Sequence, residues 1–263
     1  MDIQNEKIDG GKAFDWGRTS EDYAKFRDIY PAAFYESIIR RGFGVRGQHV
    51  LDLGTGTGVL PRNLYAQGAK WCGTDISPEQ IGQAKQLAIA AGMDIDFRTA
   101  SAETTDYPDE TFDVVTACQC YWYFDPPKAY PNIARMLKPG GKLVLLYMGW
   151  LAAEDSIANA SEELVLKYNP AWTGGGDTRH LITPPDEALK TFDIAEQTMF
   201  DLPVHFTKPA WHGRMRACRG VGASLDPAAL AAWDAEHSAV LDRIAPDEFD
   251  ILHYAAITVL TKK

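Results

Sequence analysis

The run Val50-Leu51-Asp52-Leu53-Gly54-Thr55-Gly56-Thr57-Gly58 carries the strongest chemical signal in the chain. An apolar, strand-like stretch ends, glycines turn the chain, and a helical pattern begins. Glycines at such a turn let a ligand approach the backbone closely. A second acid, Asp75, follows at the end of the next strand-like segment, nineteen positions after Gly56. Its carboxylate would accept hydrogen bonds from both ribose hydroxyls of an adenosine. The dinucleotide fingerprint, counted from Gly54, requires glycine at 59, and this chain has Val59. The spacing here is G-x-G-x-G. Asp52, inside the strand end, is a poor neighbour for a pyrophosphate and a good one for an ammonium group. The loop therefore points to an adenosine cofactor with a cationic amino group, and a nicotinamide dinucleotide is the alternative.

A second group of candidates surrounds the acceptor. Tyr121, Trp122, Tyr123 and Phe124 follow the fourth strand-like segment, at the carboxyl edge where open α/β sheets place ligands. An aromatic wall binds an apolar substrate and favours a sulfonium cation. In Trp211-His212-Gly213-Arg214-Met215-Arg216-Ala217-Cys218-Arg219, read as a helix, Trp211, Met215 and Cys218 share one face. His212, Arg216 and Arg219 share the adjoining face, which would suit an anionic, partly apolar substrate. Tyr121, Trp122, Trp150, Trp211, Arg214, Arg216 and Arg219 form the candidate substrate set. His205 and His212 are the weak candidates for a general base. Cys118 and Cys120 stand two apart and would face the same way on an extended segment. A metal site would want a third soft ligand, so no metal is expected. Asp125-Pro126-Pro127-Lys128 reads as a capping aspartate with prolines in the first helical turn.

These residues need elements to position them. Residues 1–20 are polar and read as a loose arm. Residues 20–41 carry Tyr23, Phe26, Tyr30, Phe34 and Ile38 at helical spacing, with Pro31 bending or dividing the segment. Strands are expected at 48–53, 71–75, 94–98, 112–117 and 142–147. Helices alternate with them at 59–67, from Ser77-Pro78 to Gly92, and from Asp125 toward Lys138-Pro139-Gly140-Gly141. This alternation means a doubly wound, mostly parallel sheet. Beyond it, 151–169 reads as helix, 185–192 as a short helix, 199–206 as a strand, 211–225 and 226–244 as a helical insert, and 254–260 as a last buried strand.

Composition narrows the function. The chain has 263 residues, 46% of them hydrophobic and 24% charged, with a net charge of −10. That is ordinary globular usage. The acidic balance argues against a nucleic-acid partner, which usually meets a basic field. No apolar run is long enough for a membrane span, and the first residues lack the basic and apolar regions of a secretory signal. Four cysteines without a C-x-x-C pair suit free thiols in a reducing cytoplasm.

The stretch Asp52-Leu53-Gly54-Thr55-Gly56-Thr57-Gly58 resembles motif I of the class I S-adenosylmethionine-dependent methyltransferases, with Asp75 in the place of their ribose-binding acid. Ser101-Ala102-Glu103 is similar to their adenine loop. Phe112-Asp113-Val114-Val115 and Leu137-Lys138-Pro139-Gly140-Gly141 resemble later motifs of the small-molecule branch. Gln119-Cys120-Tyr121-Trp122-Tyr123-Phe124-Asp125 is similar to a stretch of trans-aconitate methyltransferase-like proteins, with Trp122-Tyr123 where that group has His-Trp. The resemblance covers residues 45–148 well and 20–44 and 185–263 loosely. It implies a seven-stranded Rossmann-like sheet with its final pair antiparallel. It also implies a helical arm or lid over 1–44 and a methyltransferase domain over 45–263, with cap insertions at about 151–180 and 207–245. It implies S-adenosylmethionine as cofactor and S-adenosylhomocysteine as product. The cofactor residues it implies are Asp52, Gly54, Thr55, Gly56, Gly58, Asp75, Ile76, Gln80, Ala102, Glu103, Cys118 and Gln119, with Tyr23 and Arg27 from the lid. The expected activity is methyl transfer by direct displacement to a small-molecule acceptor, in a monomer or homodimer. The alternatives are a protein that binds S-adenosylmethionine without turnover, and an enzyme that methylates RNA or protein.

Overall fold

A computed structural model describes residue 6 and residues 8–26 and 28–263. The side chain of Tyr23 and the whole of Arg27, both expected at the cofactor, lie outside the described residues. The chain divides into two compact units. A sheet unit holds residues 32–148, 180–200 and 255–263, and a helical unit holds the described residues up to 31, with 149–179 and 201–254.

The helices are α1 (Ser20–Phe26), α2 (Ala32–Arg40), α3 (Val59–Leu64), α4 (Pro78–Ala90), α5 (Pro126–Met136), α6 (Ser156–Tyr168), α7 (Asp186–Thr191), α8 (Lys208–Arg216) and α9 (Pro227–Ile244). The strands are β1 (His49–Leu53), β2 (Lys70–Asp75), β3 (Asp96–Thr99), β4 (Phe112–Cys118), β5 (Leu137–Trp150), β6 (Phe192–Thr207) and β7 (Glu248–Lys262). The seven strands form one sheet in the order β3-β2-β1-β4-β5-β7-β6. β1 pairs parallel to β2 and β4, β2 to β3, and β4 to β5. The order reverses at β1, so the crevice of the sheet falls at the carboxyl ends of β1 and β4. Leu51, Leu53, Val115 and the run Leu143 to Leu146 are fully buried, as a sheet covered on both faces requires.

Most expected elements stand within a few residues of their bounds. Pro31 falls in the break between α1 and α2, and Ser77 caps α4 by accepting the Gln80 N–H at 3.3 Å. Three expectations are corrected. Lys138 to Gly141 open β5 and are not a free turn after α5. The strand expected at 199–206 begins at Phe192, directly after α7.

The arm over 1–20 is the third correction: from residue 8 it is held within the helical unit. Asp9 is buried and paired through Arg219 Nε at 2.7 Å, and it also accepts from the Thr173 N–H and hydroxyl. Lys12 donates to Asn169 at 3.1 Å, and Arg18 donates to the Leu225 carbonyl at 2.6 Å. Composition suggested looseness because these partners lie more than 150 positions away in sequence.

Candidate functional site

The glycine loop joins β1 to α3, and its geometry explains its residues. Gly54 has φ 60°, and a Cβ there would sit 2.7 Å from the Cys120 side chain. Gly58 has φ 74°, and a Cβ there would sit 2.5 Å from Phe97. Either position would be strained and blocked with any other residue. Cys120 closes the loop from the β4 side, its thiol donating to the Leu53 carbonyl at 3.1 Å.

Asp75 ends β2 half-buried. One carboxylate oxygen accepts the Gly56 N–H at 2.9 Å and the other the Ser77 N–H at 2.9 Å. The acid and the loop, nineteen positions apart, therefore belong to one site. Burial raises the Asp75 pKa, while the backbone N–H groups of Ser77, Gly56 and Ile76 oppose that rise.

Asp52 differs. It is 2% exposed, and its two oxygens accept the hydroxyls of Thr55 at 2.7 Å and Thr116 at 2.6 Å. Burial pushes its carboxyl up to about 7, against the two hydroxyls. Asp52 thus grips the loop through Thr55. These two hydroxyls give Asp52 a positioning role in the loop beside the contact with the cofactor's amino group that the sequence suggests. Thr116 is a residue that sequence reasoning missed, although a polar side chain inside the apolar run of β4 was a visible signal.

The remaining cofactor candidates gather at the same edge. Gln80 is buried in the first turn of α4, and Ile76 is half-buried beside Asp75. Ala102 is buried, and its carbonyl accepts from Asn132 at 3.1 Å, with a second bond from Asn132 to Thr105 at 2.8 Å. Glu103 accepts the Asp125 N–H at 2.8 Å, which ties the loop after β3 to the start of α5. Cys118 ends β4. Gln119 has φ 55°, uncommon outside glycine, and its N–H donates to Leu146 at 2.9 Å. That turn at Gln119 corrects the extended reading of Cys118 and Cys120. It sends the chain into a short 3₁₀ turn, Tyr121–Tyr123. There Trp122 is 38% exposed and packs edge-on against Tyr121 at 5.0 Å and Tyr147 at 5.7 Å. The Tyr147 ring continues to His180 at 5.4 Å, a histidine the sequence did not single out.

The candidates in the helical unit have other commitments. Trp150 donates to Glu162 at 2.6 Å, and Trp211 donates to Ser161 at 2.9 Å. The two indoles pack edge-to-face in the core. Arg214 is 2% exposed, with its guanidinium over the Trp150 ring. Arg216 binds Asp234 at 3.0 Å and also Asp22, and Arg219 binds Asp9. The basic stripe expected to meet an anionic substrate is therefore paired with carboxylates of the chain itself. His212 packs against His237, and His205 lies on the exposed side of β6 beside Asp250 at 3.0 Å. Among the described residues no group of three or more His, Cys, Asp or Glu could hold a metal ion, and no helix is long and apolar enough to cross a membrane.

Known proteins place this geometry in context. A family profile described as a methyltransferase domain matches residues 51–145. The ubiquinone biosynthesis O-methyltransferase of Cereibacter sphaeroides is 30% identical over 59% of this chain, and the chain spans 62% of that relative's length. The protein of the same description from Idiomarina loihiensis is 30% identical over 60% of this chain and 67% of its own. Among solved structures, YcgJ of Bacillus subtilis aligns with a TM-score of 0.53 at 19% identity, over 89% of this chain and 99% of its own. The [4+2]-cyclase SpnF aligns with a TM-score of 0.52 at 21% identity, over 88% and 80%.

Proposed function

The chain belongs to the class I S-adenosylmethionine-dependent methyltransferases, and from that premise we propose that it transfers a methyl group from S-adenosylmethionine to a small-molecule acceptor. The observation that carries this reading is the Asp75 carboxylate bonded to the Gly56 N–H. It joins a ribose acid and a close-approach glycine loop in one site.

The residues present fit that cofactor. Gly54 lets the Cys120 side chain close against the left-handed turn of the loop, and Asp75 is a half-buried acceptor of the kind that two ribose hydroxyls require. Ile76 and Ala102 supply apolar surface for the adenine. Glu103 keeps one carboxylate oxygen beyond its bond to Asp125 for the adenine amino group. Gly54 and Gly56 would hold the methionine part, with Asp52 setting the loop through Thr55. Tyr121 and Trp122 are the proposed acceptor contacts.

When bound, the cofactor supplies a methyl group on a positively charged sulfur, a leaving group already activated. The work left to the protein is alignment and removal of water. That accounts for a site without a nucleophile and base pair, since a base is needed only where the acceptor arrives protonated. The Cereibacter and Idiomarina relatives are named O-methyltransferases, which supports oxygen as the accepting atom.

The test is incubation of the purified chain with S-adenosylmethionine and a panel of hydroxylated, amino and thiol metabolites. Formation of S-adenosylhomocysteine with a methylated metabolite is expected. Cofactor binding without turnover on any member would favour the second reading, a protein that binds S-adenosylmethionine and does not transfer its methyl group.

A further inference from the structure

The helical unit buries a hydrogen-bonded chain that the proposed chemistry does not use. The Trp211 indole N–H donates to Ser161 Oγ at 2.9 Å. Ser161 Oγ also faces the Ile157 carbonyl at 2.8 Å and His237 Nε2 at 3.0 Å. His237 Nδ1 faces His212 Nδ1 at 2.9 Å. His212 Nε2 faces Asp234 at 3.2 Å, and Asp234 is bound in turn by Arg216, which also binds Asp22. Trp233 stacks on both imidazoles, at 5.3 and 4.5 Å. Four helices contribute: α1 (Asp22), α6 (Ser161), α8 (Trp211, His212, Arg216) and α9 (Trp233, Asp234, His237).

Counting protons limits what this chain can be. Two facing Nδ1 atoms at 2.9 Å hold one proton between them. With both rings neutral, one arrangement satisfies every ring nitrogen, with the Ser161 hydroxyl then turned away from the Ile157 carbonyl. His212 carries its proton on Nε2 toward Asp234, His237 carries its own on Nδ1 toward His212, and the Ser161 hydroxyl donates to His237 Nε2. The reverse neutral arrangement would set a bare His212 Nε2 against a carboxylate. With one proton added, a second complete arrangement appears. His212 becomes an imidazolium donating to both Asp234 and His237, the His237 proton moves to Nε2 and points at Ser161, and the Ser161 hydroxyl turns to the Ile157 carbonyl. No contact is lost. A second added proton would set N–H against N–H at 2.9 Å.

We infer that the His212–His237 pair is a one-proton switch: it takes up a single proton by reversing every hydrogen bond between Ser161 and His212, and a second proton breaks it and frees α8 from α9. The charge settles on His212 because Asp234 faces that ring, with Asp22 beyond, against burial and the Arg216 cation, which lower its pKa; among the described residues His237 faces His212, Ser161 and the Trp233 ring. Burial and the neighbouring His212 lower the His237 pKa to about 3, in keeping with a fold that resists the second proton. The two rings titrate as a pair, and their macroscopic steps belong to both.

The experiment is a titration of the full chain, labelled with ¹⁵N-histidine, from mildly alkaline to acidic pH, followed by NMR. At the alkaline end His237 is expected as the Nδ1–H form and His212 as the Nε2–H form. On acidification His212 charges and His237 switches to the Nε2–H form at one shared midpoint, with the folded spectrum intact. His212→Gln should abolish the His237 switch. Asp234→Asn should move the shared midpoint about tenfold in proton concentration toward acid. If His237 keeps its tautomer while His212 charges, or if both rings charge in the folded protein, the inference is overturned. The unsubstituted chain decides this even if a variant fails to fold.

Discussion

The two units bury charge in different ways. In the sheet unit, Asp52 and Asp75 are held by close neighbours: Thr55 three positions on, Ser77 two positions on, the Gly56 backbone, and Thr116 on the adjacent strand. In the helical unit, Asp9 is held by Arg219, 210 positions away, Arg216 by Asp22, 194 positions away, and His237 by Ser161, 76 positions away. The sheet unit uses local turns and strand order to hold its acids at the glycine loop. The helical unit uses side chains to satisfy one another. Loss of one partner should therefore cost the sheet unit its ligand and the helical unit its stability.

The largest stability effect should follow Arg219→Ala. It leaves the fully buried Asp9 carboxylate without its cation, a loss of about 3–5 kcal/mol. A clear fall in melting temperature with cofactor affinity retained is expected, and an unchanged melting temperature would erase the contrast between the units. Gly54→Ala should act the other way. Its left-handed backbone and the Cys120 contact cost about 1–3 kcal/mol of strain, while cofactor affinity should fall by about a hundredfold or more.

Acid should find the helical unit first. His237 has a folded pKa near 3, below its ordinary value of 6.5, so the unfolded chain binds the extra proton in that window. Stability should then decline as pH falls from 6.5 toward 3, by up to about 1.4 kcal/mol per pH unit from this group. Chemical denaturation across that range checks the slope, which His237→Gln should flatten. The sheet unit carries the opposite sign at Asp52. Its pKa is raised from 3.8 to about 7, so its contribution declines as pH rises through that interval, and Asp52→Asn should remove the decline. Smallest of all should be Lys167→Ala, which breaks an exposed pair with Glu236 and should leave the melting temperature unchanged within error.

The same contrast decides what could be read from sequence. Gly54, Gly56, Asp75 and Ser77 announce themselves because turns and caps impose residue types at fixed short offsets. The parallel strands follow from apolar runs such as Val114 to Ala117 and Leu143 to Leu146. The helical unit offered only residue types. The Arg216 and Arg219 stripe looked open to an anion because Asp22, Asp234 and Asp9 could not be placed beside it without the tertiary fold. Trp150 and Trp211 looked like pocket walls for the same reason, since Glu162 and Ser161 take their indole N–H groups in the core. Gln119 is a third kind of case. Its positive φ turns the aromatic run away from an extended strand, and no residue type signals that turn.

The central claim is that Asp75 and the glycine loop form one site for S-adenosylmethionine. Calorimetric titration of the purified chain with S-adenosylmethionine, beside the Asp75→Ala variant, tests it most directly. The account predicts binding near micromolar strength in the unsubstituted chain, weakened by about a hundredfold or more in a variant that stays folded, close to 3 kcal/mol of lost affinity. Equal binding by both proteins, or binding of NADH in place of S-adenosylmethionine, would contradict it.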